Sequence, residues 1–172
     1  MTTTSERAGR LVTRSHFKRD LAVSAGGSIA AAAVGGLGAR RAPEVYRLLE
    51  KPTWAPPSTV FGPVWSALYT AMGVAAWRLS RRPGSRSVLV LHGLQLVLNG
   101  YWPIAFFARR SKRESLAVIA VLDALVATET VSAWRRDRPS GALLTPYLGW
   151  SLFATALNAA VRWPEGQTAP AA

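Results

Sequence analysis

The sequence predicts an all-α integral membrane protein, a bundle of five transmembrane helices, and three observations carry the prediction. Five apolar runs of 18 residues or more, at about 21–39, 58–77, 88–108, 116–134 and 142–161, use most of the 172-residue chain. A bilayer core of about 30 Å needs roughly 20 apolar residues in helical form, so each run suffices to span. Only 17% of the residues are charged, and those fall in clusters between the runs. Turn-forming and interfacial residues, Arg81-Arg82-Pro83-Gly84 and Arg162-Trp163-Pro164 among them, mark the ends of the runs.

This arrangement divides the chain into a basic tail (1–20), one membrane domain (21–163) and a small-residue tail (164–172), with no room for a separate soluble domain. The formal net charge of +12 sits at the run ends. Anionic lipid headgroups, not nucleic acid, are the partner that placement suits. Without a single cysteine, disulfides, thiolate metal sites and cysteine nucleophiles are excluded. No His/Asp/Ser set, metal-ligand spacing or phosphate loop is present, so no catalytic residue is assigned and no cofactor is required.

The first run, 21–39, follows Arg7, Arg10, Arg14, Lys18 and Arg19. A cleaved signal peptide is the competing reading, but the run exceeds the 7 to 15 residues usual for one. Its Gly26/Ala30 and Ala32/Gly36 spacings suit close helix packing, either within the bundle or across a dimer. The connection from Arg40 to Lys51 is long enough for a short helical turn that lays Tyr46, Leu48 and Leu49 against either the membrane surface or a pocket mouth. The second helix is expected to begin at about Pro57, because Pro56 and Pro57 lack the N–H that a first turn leaves unpaired anyway. Phe61, Trp65 and Tyr69 then recur every four residues and share a face.

The third run places His92, Gln95, Asn99, Trp102 and Phe106 on one polar and aromatic face, which should avoid lipid, and Pro103 should disturb its backbone. The fourth contains Asp123 and Glu129. Intramembrane carboxylates cost about 2.5 to 3.5 kcal/mol each on insertion scales, so both should face the bundle interior or a wet cavity, and Asp123, with no Lys or Arg at its depth, is either protonated or bonded to Ser, Thr or Asn, with a proton relay as the alternative role. Glu129 is expected near enough to the helix end to reach the interface. In the fifth run Tyr147, Trp150, Ala154 and Asn158 form a second such stripe. The Lys and Arg bias between the two sides is too small to orient the chain.

Three segments together resemble the TspO/translocator protein family, the tryptophan-rich sensory proteins. They are Lys51-Pro52-Thr53-Trp54-Ala55-Pro56-Pro57 with Val60 to Tyr69 behind it, Gln95-Leu96-Val97-Leu98-Asn99 with Trp102 and Phe106-Phe107, and Pro146-Tyr147-Leu148-Gly149-Trp150 with Leu157-Asn158. The resemblance implies a five-helix membrane bundle, commonly a homodimer, that binds porphyrins such as protoporphyrin IX and haem in a pocket under the first loop. It implies a multi-pass protein of the cell membrane if the source is bacterial. Trp65 and Trp150 match family tryptophans implicated in porphyrin binding and light-dependent porphyrin breakdown, the one sense in which they would be catalytic. Phe61, Asn99 and Ala154 match pocket-lining positions. Two departures stand out: Val45-Tyr46 replaces a Trp-Tyr pair in the first loop, and Leu157 to Arg162 lacks the tyrosine of a motif proposed for cholesterol.

The function expected is therefore a porphyrin-binding membrane receptor or sensor. Light-dependent porphyrin degradation and tetrapyrrole or lipid transport are the alternatives. Tyr69, His92, Gln95, Trp102, Tyr147 and Asn158 are either ligand contacts or structural. Trp54, Trp77, Trp134 and Trp163 read as interfacial anchors. His92 is either an axial haem ligand or bonded to a neighbouring helix, and Gln95 and Asn99 suit interhelical bonds of about 0.6 kcal/mol each.

Overall fold

A computed structural model of the chain describes residues 42–164 together with Gly36 and Arg40. The first predicted span, its small-residue spacings and both tails lie outside the described residues, apart from Gly36. A short helix, α1 (Ala42–Leu48), comes first. Four long helices follow: α2 (Phe61–Ser80), α3 (Arg86–Pro103), α4 (Lys112–Arg136) and α5 (Arg138–Ala160). Among the described residues the only pairing outside helices is an antiparallel bridge between Glu50 and Arg162, which ties the first loop to the end of α5. Arg86–Ala108 and Lys112–Arg136 are long and apolar enough to cross a membrane.

The start of α2 differs from the sequence expectation. Pro57 is extended (φ −63°, ψ 149°), a single 3-10 turn spans Ser58–Val60, and the α-helix opens only at Phe61. Pro57 obliges Pro56 to stay extended, because a proline ring crowds a helical residue before it. The two prolines therefore end the loop and do not form the first turn. At the far end of α3, Pro103 has no N–H for the carbonyl four residues back, and a π turn (Ile104–Ala108) follows, closed by Arg109 N–H to Ile104 O at 2.8 Å.

Helix α4 packs on both α3 and α5, and α2 packs on α5. Met72, Ala75, Leu79, Val88, Ile119, Val126, Ala133, Leu144 and Tyr147 form the buried seam. The α4–α5 junction is tight because Gly141 lies against the Trp134 indole; a Cβ there would sit 2.8 Å from the Trp134 Cα. Gly141→Val should therefore cost about 1 to 3 kcal/mol by overpacking, read as a lower thermal midpoint in detergent. Trp134 donates its indole N–H to Thr145 Oγ1 at 3.1 Å across the same junction.

Asp137 fastens this end of the bundle. Its carboxylate caps α5 by accepting from Ser140 N–H, and it pairs with Arg78 Nε at 2.8 Å and Arg82 Nη2 at 2.6 Å from the end of α2. It lies between the predicted spans. The Arg78 hydrogen bond first, then that of Ser140, hold its carboxyl far below the usual carboxylate range, although burial pushes the other way. A depressed carboxylate pKa stabilises the fold fully above the unfolded value of about 3.9, and the effect fades as pH falls from there toward the folded value. The stability advantage of the native chain over Asp137→Asn should thus be constant above about pH 5 and shrink below about pH 4, measured by thermal unfolding across that range.

Candidate functional site

At the end of the bundle away from Asp137, α2 and α3 leave a cavity of about 500 Å³, lined as well by residues of α1, of the π turn after α3 and of α5. The loop geometry that roofs it is local. Tyr46 of α1 donates its hydroxyl to Pro56 O at 2.8 Å and meets the Phe61 ring edge-on at 5.2 Å between centroids. Lys51 Nζ donates to the carbonyls of Tyr46 and Leu49 at 2.7 and 2.8 Å, which pins the loop after α1. On the α5 side, Lys112 Nζ donates to Val161 O at 2.8 Å.

All five residues expected from sequence to contact a ligand line this cavity: Phe61, Trp65, Asn99, Trp150 and Ala154. Tyr69, Trp102 and Asn158 line it too, and so does Gly36 of the first predicted span. The aromatic walls brace one another: Phe61 meets Trp150 edge-on at 5.8 Å, Trp65 leans on Tyr69 at 5.5 Å, and Trp102 stacks on Phe106 at 5.3 Å. None of the lining residues carries a charge. Such a space favours a flat apolar ligand, oriented by a few polar groups.

The polar groups are not distributed as the sequence suggests. Asn99, expected to offer a ligand contact, already uses both ends of its amide: Oδ1 accepts from Tyr69 at 2.5 Å and Nδ2 donates to the Tyr147 oxygen at 2.9 Å. Instead the buried N–H donors of Trp102, Trp150 and Asn158 have no partner among the described residues. Asn158 accepts from Ser115 at 3.3 Å through its oxygen, so its amide hydrogens are the part left over.

His92, Gln95 and Tyr147 lie outside the cavity lining, in the seam behind it. Glu129 corrects the sequence reading, since it does not reach the interface: it is fully buried, 2.8 Å from His92 Nδ1. The cost of burial is reduced by that partner on α3, which spacing along α4 does not reveal. Asp123 accepts from Ser151 at 2.5 Å and Thr155 at 2.7 Å. Sequence reasoning missed the contributions of Pro43, Ser58 and Phe107 to the lining. Phe107 falls off the 3.6-residue stripe and faces the cavity because the π turn changes the helix register. No group of three or more His, Cys, Asp or Glu side chains suited to a metal occurs among the described residues.

A sequence profile described as the TspO/MBR family matches residues 22–164, which takes in the first predicted span. The chain is 37% identical to a tryptophan-rich sensory protein of Cereibacter sphaeroides over 115 residues, covering 67% of this chain and 73% of that one. It is 38% identical to the translocator protein of Homo sapiens over 136 residues, covering 73% and 80%. It is 40% identical to the tryptophan-rich protein TspO of Archaeoglobus fulgidus over 119 residues, covering 67% and 76%.

Proposed function

Because this chain belongs to the TspO/MBR family of five-helix integral membrane proteins, we propose that its cavity binds a porphyrin and that the protein acts as a membrane receptor or sensor of tetrapyrroles. One observation carries the reading: an uncharged cavity of about 500 Å³ walled by Phe61, Trp65, Trp102 and Trp150. Flat rings of this kind offer a tetrapyrrole large faces for contact at little entropic cost, and cavities of about 300 to 1,000 Å³ take ligands of that class. We include a homodimer in the same reading. Protoporphyrin IX added to the purified chain in detergent should quench its tryptophan fluorescence saturably and raise its thermal midpoint; absence of both would remove the proposal.

Light-dependent breakdown of the bound porphyrin is a second reading, favoured by the oxidisable indoles of Trp65, Trp102 and Trp150 in the cavity wall. The protein's part would be placement of the pigment. Loss of the Soret band under aerobic illumination, faster than for free porphyrin in the same detergent, distinguishes it from simple binding.

A further inference from the structure

The end of the bundle opposite the cavity is crowded with guanidinium groups. Four arginines lie between positions 78 and 86 and three between 135 and 138, and Asp137 is the one carboxylate in either segment. The two segments meet: Arg136 Nε donates to Gly84 O at 3.3 Å, and Arg78 and Arg82 both reach Asp137. A cleft of about 250 Å³ opens at the end of α2, lined by Trp77, Arg78, Arg81 and Arg82.

Two arginines of the cleft are held from behind. Arg78 donates to Asp137 through Nε at 2.8 Å and Nη2 at 3.3 Å, and Arg82 does so through Nε at 3.1 Å and Nη2 at 2.6 Å. A guanidinium carries five N–H groups in a planar fork. Each of these forks therefore engages the edge shared by Nε and Nη2, and keeps both hydrogens of Nη1 and one of Nη2. Neither makes another hydrogen bond among the described residues. Their side chains are 33% and 52% exposed, whereas that of Asp137 is 1% exposed, so the unused edges lie on the open side of the carboxylate. The third cation, Arg81, stands over the Trp77 ring at 5.7 Å. The rotamer freedom that a loose surface arginine gives up on binding is thus already lost on folding.

Three guanidinium groups beside one carboxylate leave two positive charges in surplus. A phosphate ester matches that surplus in charge, and its pairs of acceptor oxygens match the forks in shape. Depth favours a lipid as the source. The cleft lies where α2 leaves its apolar run, with an indole at the level where aromatic side chains meet headgroups. The other arginines of this end draw anionic lipids toward it. We propose that Trp77, Arg78, Arg81 and Arg82 form a phosphate site at the end of α2, occupied by the headgroup of an anionic membrane lipid. Asp137 is its positioning residue, and the site stands independently of what the cavity binds.

The full chain is titrated with lipid in a neutral detergent at about 0.15 M salt, where charges more than about 8 Å apart are largely screened. Phosphatidylglycerol should raise the thermal midpoint saturably. Phosphatidylcholine should bind about tenfold or more weakly, because its choline meets three guanidinium groups. Arg81→Gln/Arg82→Gln leaves Arg78 on Asp137 and should raise the apparent Kd for phosphatidylglycerol about tenfold or more. Arg135→Gln/Arg138→Gln removes the same charge outside the cleft and should change it less than about twofold. Shifts are read against each variant's own lipid-free midpoint. Arg82→Lys keeps the charge and a partner for Asp137, and serves if the cleft double variant misfolds: loss of the fork should still weaken binding about threefold. Equal losses in the two double variants, unaltered binding by Arg82→Lys, or phosphatidylcholine binding as tightly as phosphatidylglycerol overturns the site. Inorganic phosphate separates the sources. No shift with it supports the lipid, and a saturable shift that the cleft variant abolishes overturns the lipid in favour of a free phosphate ester.

Discussion

Replacing Trp65 and Trp150 together by phenylalanine raises the Kd for protoporphyrin IX by about tenfold or more, while the fold survives. The expectation comes from what each indole does in the cavity. Trp65 leans on Tyr69 and meets Tyr147 edge-on at 6.3 Å, so its ring forms part of the wall between α2 and α5. Trp150 packs between Phe61 at 5.8 Å and Phe153 at 5.2 Å and keeps a buried N–H without a partner among the described residues. Phenylalanine retains a ring but loses contact area. Buried aromatic anchors cost about 2 kcal/mol or more when truncated, which exceeds the 1.4 kcal/mol that corresponds to tenfold. Quenching of the remaining tryptophans and a ligand-induced thermal shift measure the change. Unaltered affinity with an unaltered melting midpoint would move the site away from these two residues.

His92→Leu should destabilise the bundle by about 1 to 3 kcal/mol, the cost of leaving a buried polar group without its partner. It removes the partner of a fully buried carboxylate and leaves Glu129 with neither oxygen bonded. The double change His92→Leu/Glu129→Leu should recover most of the loss, because replacing both partners of a buried hydrogen-bonded contact by apolar groups of similar size can be nearly neutral. Thermal unfolding of the three proteins in one detergent checks both statements. A double variant as unstable as the single one would mean that packing, not the unpaired Glu129 carboxyl, sets the cost.

The two predictions differ in how far the sequence anticipates them. The tryptophans are legible because they interrupt apolar runs at helical spacing, and a 3.6-residue period places Phe61 with Trp65, and Trp150 with Ala154, on common faces. The His92–Glu129 pair is not legible. The two residues sit on different helices, and nothing local to either one encodes the register between α3 and α4.

By itself the sequence determined that the chain is helical and membrane-embedded, where most helices lie and which faces turn inward. Those are local properties: run length, period, and proline or glycine at the ends. Only the tertiary structure decided that Asn99 is spent on Tyr69 and Tyr147, that Trp102, Trp150 and Asn158 hold the spare donors, and that Phe107 reaches the cavity through a π turn. Hydrogen-bond satisfaction is a property of neighbours in space. Residues such as Asn99 and Tyr147, 48 positions apart in the chain, meet only when α3 and α5 pack.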